Sequence, residues 1–395
     1  MKAGWEYKKL DDICTIVGRI GFRGYTKADL VDSPNDGAIT LSPSNITNGE
    51  LDFSKCTYIS WDKYNESPEI MLTKGDVVLV KTASIGKCAV VKELPHKATL
   101  NPQFVVLKGI IGEPNFIGYY LKSPVAQITI KQMAGGVAIP TLSQKKLGTM
   151  LIPSPPLSEQ QSIVDYLDSA FAKIDAMKAN AEKTLNEAKA LFQASLKEML
   201  EPKEGIKWST IGDLFETYSG GTPTKSNKEY YEGGLIPWLR SGEVCQKEIT
   251  RTEMFITEKG LKESSAKYYP ENTVVVAMYG ATAAQVGILR IKSTSNQAVC
   301  GILPHKDFLP EFVYYWFSSI ENKLAAQAQG GAQPNISQQK IKKVEIPLYS
   351  IIKQQSIVEN LDSLKSKVDK LQENYDKISQ ECDALKQAIL RQVFE

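Results

Sequence analysis

The 395-residue sequence has few of the side chains that most often hold metals or act as nucleophile and base. Only two histidines occur, His96 and His305, and the six cysteines, Cys14, Cys56, Cys88, Cys245, Cys300 and Cys382, lie far apart without a Cys-x-x-Cys pair. That spacing argues against a zinc site or a disulfide framework, so no metal is expected. Each thiol reads instead as a small buried hydrophobe in a reducing compartment. Both histidines sit beside a proline and a lysine, which places them in solvated turns rather than in a catalytic centre. Apolar runs long enough to span a bilayer, about 18 residues, are missing, and the start Met1-Lys2-Ala3-Gly4-Trp5-Glu6 lacks the apolar stretch of a signal peptide. The expected location is the cytoplasm, with no membrane partner.

Phosphate-binding signatures are missing too. Ile85-Gly86-Lys87-Cys88 has the Gly-Lys of a P-loop but neither the upstream glycine nor the hydroxyl that would hold magnesium. The glycines of Gly18-Arg19-Ile20-Gly21-Phe22-Arg23-Gly24 are spaced three apart, which is wrong for a dinucleotide loop. Asn101-Pro102-Gln103-Phe104 is close to the Asn-Pro-Pro-aromatic motif of amino-group methyltransferases, but its third residue is glutamine. A turn before a strand is the expected reading of that segment. The net charge is only +2, and it is unevenly spread. Residues 1–157 carry 18 basic against 14 acidic side chains and 202–349 carry 17 against 15, whereas 158–201 and 350–395 are net acidic.

What the sequence does have is a duplication. Gln160-Gln161-Ser162-Ile163-Val164-Asp165-Tyr166-Leu167-Asp168-Ser169 recurs as Gln354-Gln355-Ser356-Ile357-Val358-Glu359-Asn360-Leu361-Asp362-Ser363, and Phe116, Tyr119 and Tyr120 recur as Phe312, Tyr315 and Trp316. A chain this long exceeds what one core supports, and the repeat divides it into two similar halves. In the first repeat, apolar residues at Ile163, Leu167, Phe171, Ile174, Met177, Ala181, Leu185, Ala188, Phe192, Leu196 and Met199 predict a long helix. Ser158 and Gln161 fit a capping box and Pro202 ends the run. The second repeat is stricter: Ile357, Leu364, Leu371, Ile378 and Leu385 share one seam position, and Leu361, Val368, Tyr375, Cys382 and Ile389 the other. A heptad sustained this far predicts a coiled coil, and the small Ala170, Ala181, Thr184, Ala188 and Ser195 of the first helix would face its large residues. Forty residues at ~1.5 Å rise make a rod of roughly 60 Å.

Between the helices lie short β-rich runs, 77–80, 89–91 and 104–107 in one half and 273–276, 287–289 and 299–303 in the other, each set followed by a helix near 114–133 or 310–329. The expected fold class is α+β, with a globule at 1–157, a central long helix at 158–201, a second globule at 202–349 and a C-terminal long helix at 350–395. Sequence-specific DNA readers use Arg and Lys for phosphates and guanine, and Asn, Gln, Ser and Thr for base edges. Loops of that chemistry occur at matched places in both halves. The candidates are Arg19, Arg23, Tyr25, Ser42, Lys81, Thr82 and Ser84 in the first, and Thr222, Thr224, Lys225, Arg240, Ser241, Tyr279, Thr282 and Gln333 in the second.

These residues, above all Ser219-Gly220-Gly221-Thr222-Pro223, Ile236-Pro237-Trp238-Leu239-Arg240-Ser241-Gly242-Glu243-Val244 and Pro153-Ser154-Pro155-Pro156-Leu157-Ser158-Glu159-Gln160, resemble the specificity subunit of a Type I restriction-modification system. The second junction departs from the pattern, with Tyr349-Ser350 for the proline pair and Lys353 for the glutamate. The resemblance implies two target-recognition domains separated by two long antiparallel helices, each domain reading half of a bipartite site in double-stranded DNA. It implies no catalysis and no cofactor on this chain. Two methyltransferase subunits would use S-adenosylmethionine, and restriction subunits would use ATP and Mg. The rival readings are the specificity subunit of a Type IIB-like enzyme, a degenerate adenine methyltransferase, which would bind the cofactor alone, and a coiled-coil scaffold without DNA specificity.

Overall fold

The two halves of the duplication fold alike. A computed structural model describes residues 4–19, 24–135, 140–201, 204–326 and 335–395. The chain separates into a first unit, Met1–Ala181 with Tyr375–Glu395, and a second, Glu182–Asn374. Both mix strands and helices, as expected, and in each a two-stranded ribbon joins the two ends of the strand-rich part. Tyr7–Lys9 pairs antiparallel with Leu151–Pro153 in the first, and Trp208–Thr210 with Glu345–Pro347 in the second.

The uninterrupted apolar run at the heart of each globule becomes a strand covered on both faces, which is why it does not alternate with polar residues. In the first unit Val77–Val80 lies in a sheet ordered Thr15–Val17, Phe104–Lys108, Val77–Val80, Cys88–Val90. Val77 and Leu79 face a core built with the helices, while Val78 and Val80 face a second sheet that contains Gly37–Leu41 and Ala98–Leu100. The second unit repeats this with Val274–Ala277: Val274 and Val276 point to the helical core, Val275 and Ala277 to the other side. A parallel pair marks the second sheet in both, Ala98–Leu100 on Gly37–Leu41 and Thr294–Ser295 on Ile236–Leu239.

The helices expected near 114–133 and 310–329 are each broken. Pro124 cannot donate to the preceding turn and holds Ser123 in an extended conformation, so Pro114–Lys122 stops and Pro124–Met133 starts afresh with the Ser123 hydroxyl as cap. In the second unit Pro310–Ser319 gives way at Ile320 to Glu321–Ala326.

The long helices run Leu157–Leu200 and Ile351–Phe394. Within each unit they pack together antiparallel. In the first, Cys382 donates to the Ile174 carbonyl and Lys386 pairs with Asp175 at 2.5 Å. In the second, Lys189 donates to Gln372 at 2.7 Å, and Leu196 and Leu200 share a core with Ile357, Val358 and Leu361. The expected seam is closed at Leu167, Ile174, Leu361 and Val368, which are buried, and at Leu364, Leu371 and Ile378, which are half-buried.

Two seam assignments need correction: Met177 is 61% and Leu385 48% exposed. A straight helix drifts about 20° per heptad against a strict seven-residue repeat. The contact stripe therefore moves one residue on, to Lys178 and Lys386, which form ion pairs with Asp383 and Asp175. Thr184 is likewise exposed. Nor is Ser158 a cap: the helix begins at Leu157, and Ser158 lies inside its first turn. Pro202 lies outside the described residues. Among the described residues no helix is long and apolar enough to cross a membrane.

The repeated glutamines explain why the duplication is strongest at the start of each long helix. Gln354 is fully buried: its Oε1 accepts the Leu309 N–H at 2.9 Å, and its Nε2 donates to the carbonyls of Asp307 and Tyr349, both at 2.8 Å. Gln160 does the same, accepting from Glu113 N–H at 2.9 Å and donating to the Pro155 carbonyl at 2.8 Å. Each amide ties the long helix to the residue that caps a domain helix, Glu113 or Leu309, and to its own leading segment. Two turns on, Asp168 accepts from the Tyr119 hydroxyl and Asp362 from that of Tyr315. Burial, reinforced by the carboxylate, pushes both phenols far above their ordinary range.

Two outcomes follow for stability. Gln354→Ala removes three bonds from buried backbone groups and should cost about 1–3 kcal/mol, whereas Gln355→Ala on the exposed side should be within about 0.5 kcal/mol of the parent, as read from urea midpoints. Leu361→Asp should cost roughly 3–5 kcal/mol by burying an unpaired charge, while Leu385→Asp should leave the thermal midpoint nearly unchanged.

Candidate nucleic-acid interface

Four polar loops meet at one end of the strands in each globule, fastened to one another by backbone bonds. In the first unit the loop after Val77–Val80 is pinned by Lys81 N–H to Gln103 O at 2.7 Å and by Leu142 N–H to Lys81 O at 2.8 Å. Thr82 bridges Thr141, and Asn101 N–H reaches Leu41 O, which carries in the Ser42–Asn45 turn. The second unit has the same bonds with other residues: Met278 N–H to Ala298 O, Ile336 N–H to Met278 O, Tyr279 against Asn335, and Asn296 N–H to Leu239 O. Ala83 takes a left-handed φ of 64° where the second unit has Gly280 at 77°.

Asn101-Pro102-Gln103-Phe104 is a turn before a strand. Asn101 Oδ1 accepts the Gln103 N–H at 2.9 Å, and Asn296 Oδ1 accepts the Ala298 N–H at 3.2 Å at the matching place. His96 Nε2 donates to Gly37 O at 3.0 Å and the ring packs on Trp61, and His305 Nδ1 accepts the Asp307 N–H; both are half-buried structural groups rather than fully solvated ones.

The candidates of the first unit divide. Arg19 is not a surface contact: it is 4% exposed, its guanidinium bonds Leu100 O at 3.1 Å and Thr99 Oγ1 at 3.4 Å, and it lies 5.4 Å from the Tyr25 ring centroid. Burial lowers its pKa. Tyr25, half-buried, accepts a bond from Thr40. Ser42 donates to Asn45 Oδ1 at 3.0 Å. Lys81 and Thr82 are half-buried and Ser84 is exposed at the loop convergence; desolvation lowers the pKa of the Lys81 amine. Arg23 lies outside the described residues, as does Gln333.

In the second unit Thr222, Lys225 and Arg240 line one cleft of about 500 Å³ with Tyr231, Trp238 and Gln297. The segment leading into Thr222 is possible only with glycine: a Cβ on Gly220 would stand 2.1 Å from Ser295 Oγ and 2.2 Å from its carbonyl, and one on Gly221 would stand 2.3 Å from Ala266 N. Trp238 Nε1 donates to Gly221 O at 3.0 Å and the Tyr231 hydroxyl to Pro223 O at 2.6 Å, fixing the loop that carries Thr222, Thr224 and Lys225. Thr224 and Lys225 are exposed; Ser241 and Thr282 are half-buried, and Tyr279 is 36% exposed. These last three do not line the cleft.

Arg240 is held by two carboxylates. Its Nε lies 3.5 Å from Glu243 Oε2, and its terminal nitrogen pairs with Glu253. Glu243 is itself locked by the N–H groups of Arg240 at 2.9 Å and Glu253 at 2.8 Å. The two acids orient the guanidinium and lower the positive potential that a phosphate would meet. The sequence reading missed Glu243, Glu253 and Gln297; the Arg240-to-Glu243 spacing within a Gly-containing turn is the one signal that marks the first.

The model of the Type I restriction modification DNA specificity domain matches residues 2–187 and 203–380. The Escherichia coli EcoR124I/EcoR124II specificity subunit is 31% identical over 232 residues, 57% of this chain and 56% of that one, so the match spans about half of that relative's length. The EcoKI specificity subunit of E. coli K12 is 22% identical over 427 residues, covering 99% of this chain and 88% of the other. In fold, the chain is similar to one from a solved structure of the type I R-M system, with a TM-score of 0.76 at 20% identity over 100% of this chain and 98% of that one. The family match falls in two blocks, one for each repeated half, and the chain belongs to the Type I restriction modification DNA specificity domain family.

Proposed function

We propose that this chain is the specificity subunit of a Type I restriction-modification complex and reads a bipartite site in double-stranded DNA. Residues 1–157 would take one half-site and 202–349 the other, with the long helices at 158–201 and 350–395 setting the unread spacer. The observation that carries this reading is the repetition of one backbone loop constellation with unlike side chains: the same frame holds Lys81 and Thr82 in one unit and Met278 and Tyr279 in the other. A scaffold has no use for two differently furnished copies of a polar loop cluster.

In this reading the chain has no catalytic residue and no cofactor of its own. Methyltransferase subunits supply S-adenosylmethionine chemistry, restriction subunits use ATP and Mg, and the complex works in the cytoplasm. Base and backbone contacts come from Arg23, Ser42, Lys81, Thr82 and Ser84 in one half, and from Thr222, Thr224, Lys225, Arg240, Ser241, Tyr279, Thr282 and Gln333 in the other. Arg19 and Tyr25 shape the first site from beneath.

Methylation-sensitive sequencing of DNA from cells with and without the chain tests the reading. A bipartite methylated motif should vanish on deletion, and exchanging 202–349 for a relative's domain should change one half of the motif and keep the other half and the spacer. Persistence of the motif without the chain would refute the assignment. Within the second half, the carboxylates around Arg240 favour a base contact over a phosphate contact. Arg240→Ala should cost about 1–3 kcal/mol at one base position and leave the salt slope unchanged, whereas Lys225→Ala should weaken all sequences alike and lower that slope by about one, both read from binding titrations at several salt concentrations.

A further inference from the structure

We infer that Gln297 is a base-reading residue of the second unit and that the edge it recognises is that of adenine. This deepens the DNA-reading role proposed above and rests on it. The turn that carries Gln297 is fixed by groups other than its side chain. Asn296 N–H bonds Leu239 O at 2.9 Å, Asn296 Oδ1 accepts the Ala298 N–H at 3.2 Å, Val299 N–H bonds Asn296 O at 3.2 Å, and the flanking Ser295 and Ala298 are buried. Gln297 alone at this turn is exposed, and it stands on the wall of the cleft that also holds Thr222, Lys225 and Arg240.

Its amide is oriented. The Thr222 hydroxyl donates to Gln297 Oε1, which leaves one lone pair on that oxygen and both N–H groups of Nε2 for a ligand. An acceptor and a donor side by side match the N6–H and N7 of adenine in the major groove, the pairing glutamine makes with two hydrogen bonds. Holding the amide beforehand also reduces the rotamer freedom that a long polar side chain loses on binding.

The first unit has the same turn without this device. Pro102 stands where Gln297 does, and the nearby Gln103 is half-buried with its Oε1 accepting a bond from Asn101 Nδ2 at 3.0 Å. The glutamine of the first turn is folded back on its own asparagine, and that of the second is presented to the cleft.

The test uses the full chain assembled with its methyltransferase partners, mapping the methylated motif in cells and measuring binding to duplexes varied one base pair at a time. Gln297→Ala should leave the thermal midpoint unchanged and make one A·T position of the half-site read by 202–349 degenerate, with discrimination there reduced roughly 5- to 150-fold. Gln297→Glu, which can only accept, should move that position toward cytosine, and Thr222→Val should relax the same position more weakly. An unchanged motif in Gln297→Ala, or an equal loss for every sequence, would overturn the role of Gln297 while leaving the specificity reading intact. A parent complex that methylates no bipartite motif would overturn the specificity reading itself.

Discussion

Two buried amides, Gln160 and Gln354, hold each globule to its long helix, and the sheet that carries the loops packs into the same core as that helix. A glutamine suits the task because one side chain offers an acceptor and two donors, enough to satisfy an N–H at the start of a domain helix and carbonyls of the segment leading into the long one. Left unpaired in the core, each of those backbone groups would carry a desolvation penalty. Leucine would fill the space and leave them unsatisfied. The tyrosine-to-aspartate bond two turns on, Tyr119 with Asp168 and Tyr315 with Asp362, adds a second anchor on the same helix face.

From that joint the architecture builds outward by layers. The helices and the domain helices Pro114–Lys122 and Pro310–Ser319 cover one face of a sheet whose central strand is apolar throughout, and a second sheet covers the other. With both faces of the strands buried, the polar chemistry has nowhere to go but the loops at their ends. The cleft of the second unit forms there, and the Gly-Gly segment that leads into its Thr222 can pass Ser295 and Ala266 only as glycine.

Most of this was legible in the sequence because it depends on periodicity and repetition. The strand at Val77–Val80, its duplicate one residue later than expected at Val274–Ala277, and the two long helices all follow from runs and spacings. What failed did so for local reasons. Pro124 was a visible helix breaker inside a stretch read as one helix. Met177 and Leu385 fit a rigid seven-residue repeat that a straight helix does not keep. Arg19 looked like a surface cation, and nothing in a linear reading shows that Thr99 and the Leu100 carbonyl, eighty residues on, would absorb its donors. Of the candidate site, Thr222, Lys225 and Arg240 do share a cleft, but Glu253, which pairs with Arg240, and the Gln297 amide, which accepts from Thr222, come from separate segments, a relation that no spacing encodes.

The way the four loops are fastened has a consequence for how such a protein changes over time. Their mutual contacts run from backbone N–H to backbone carbonyl, as between Lys81 and Gln103 or Met278 and Ala298, so they are indifferent to which side chains those positions carry. The frame stands with Thr82 on it in one unit and the larger, exposed Tyr279 in the other. A lineage can therefore try new letters at the tips one at a time, each exposed to selection on its own merits, without waiting for a matching alteration in the core.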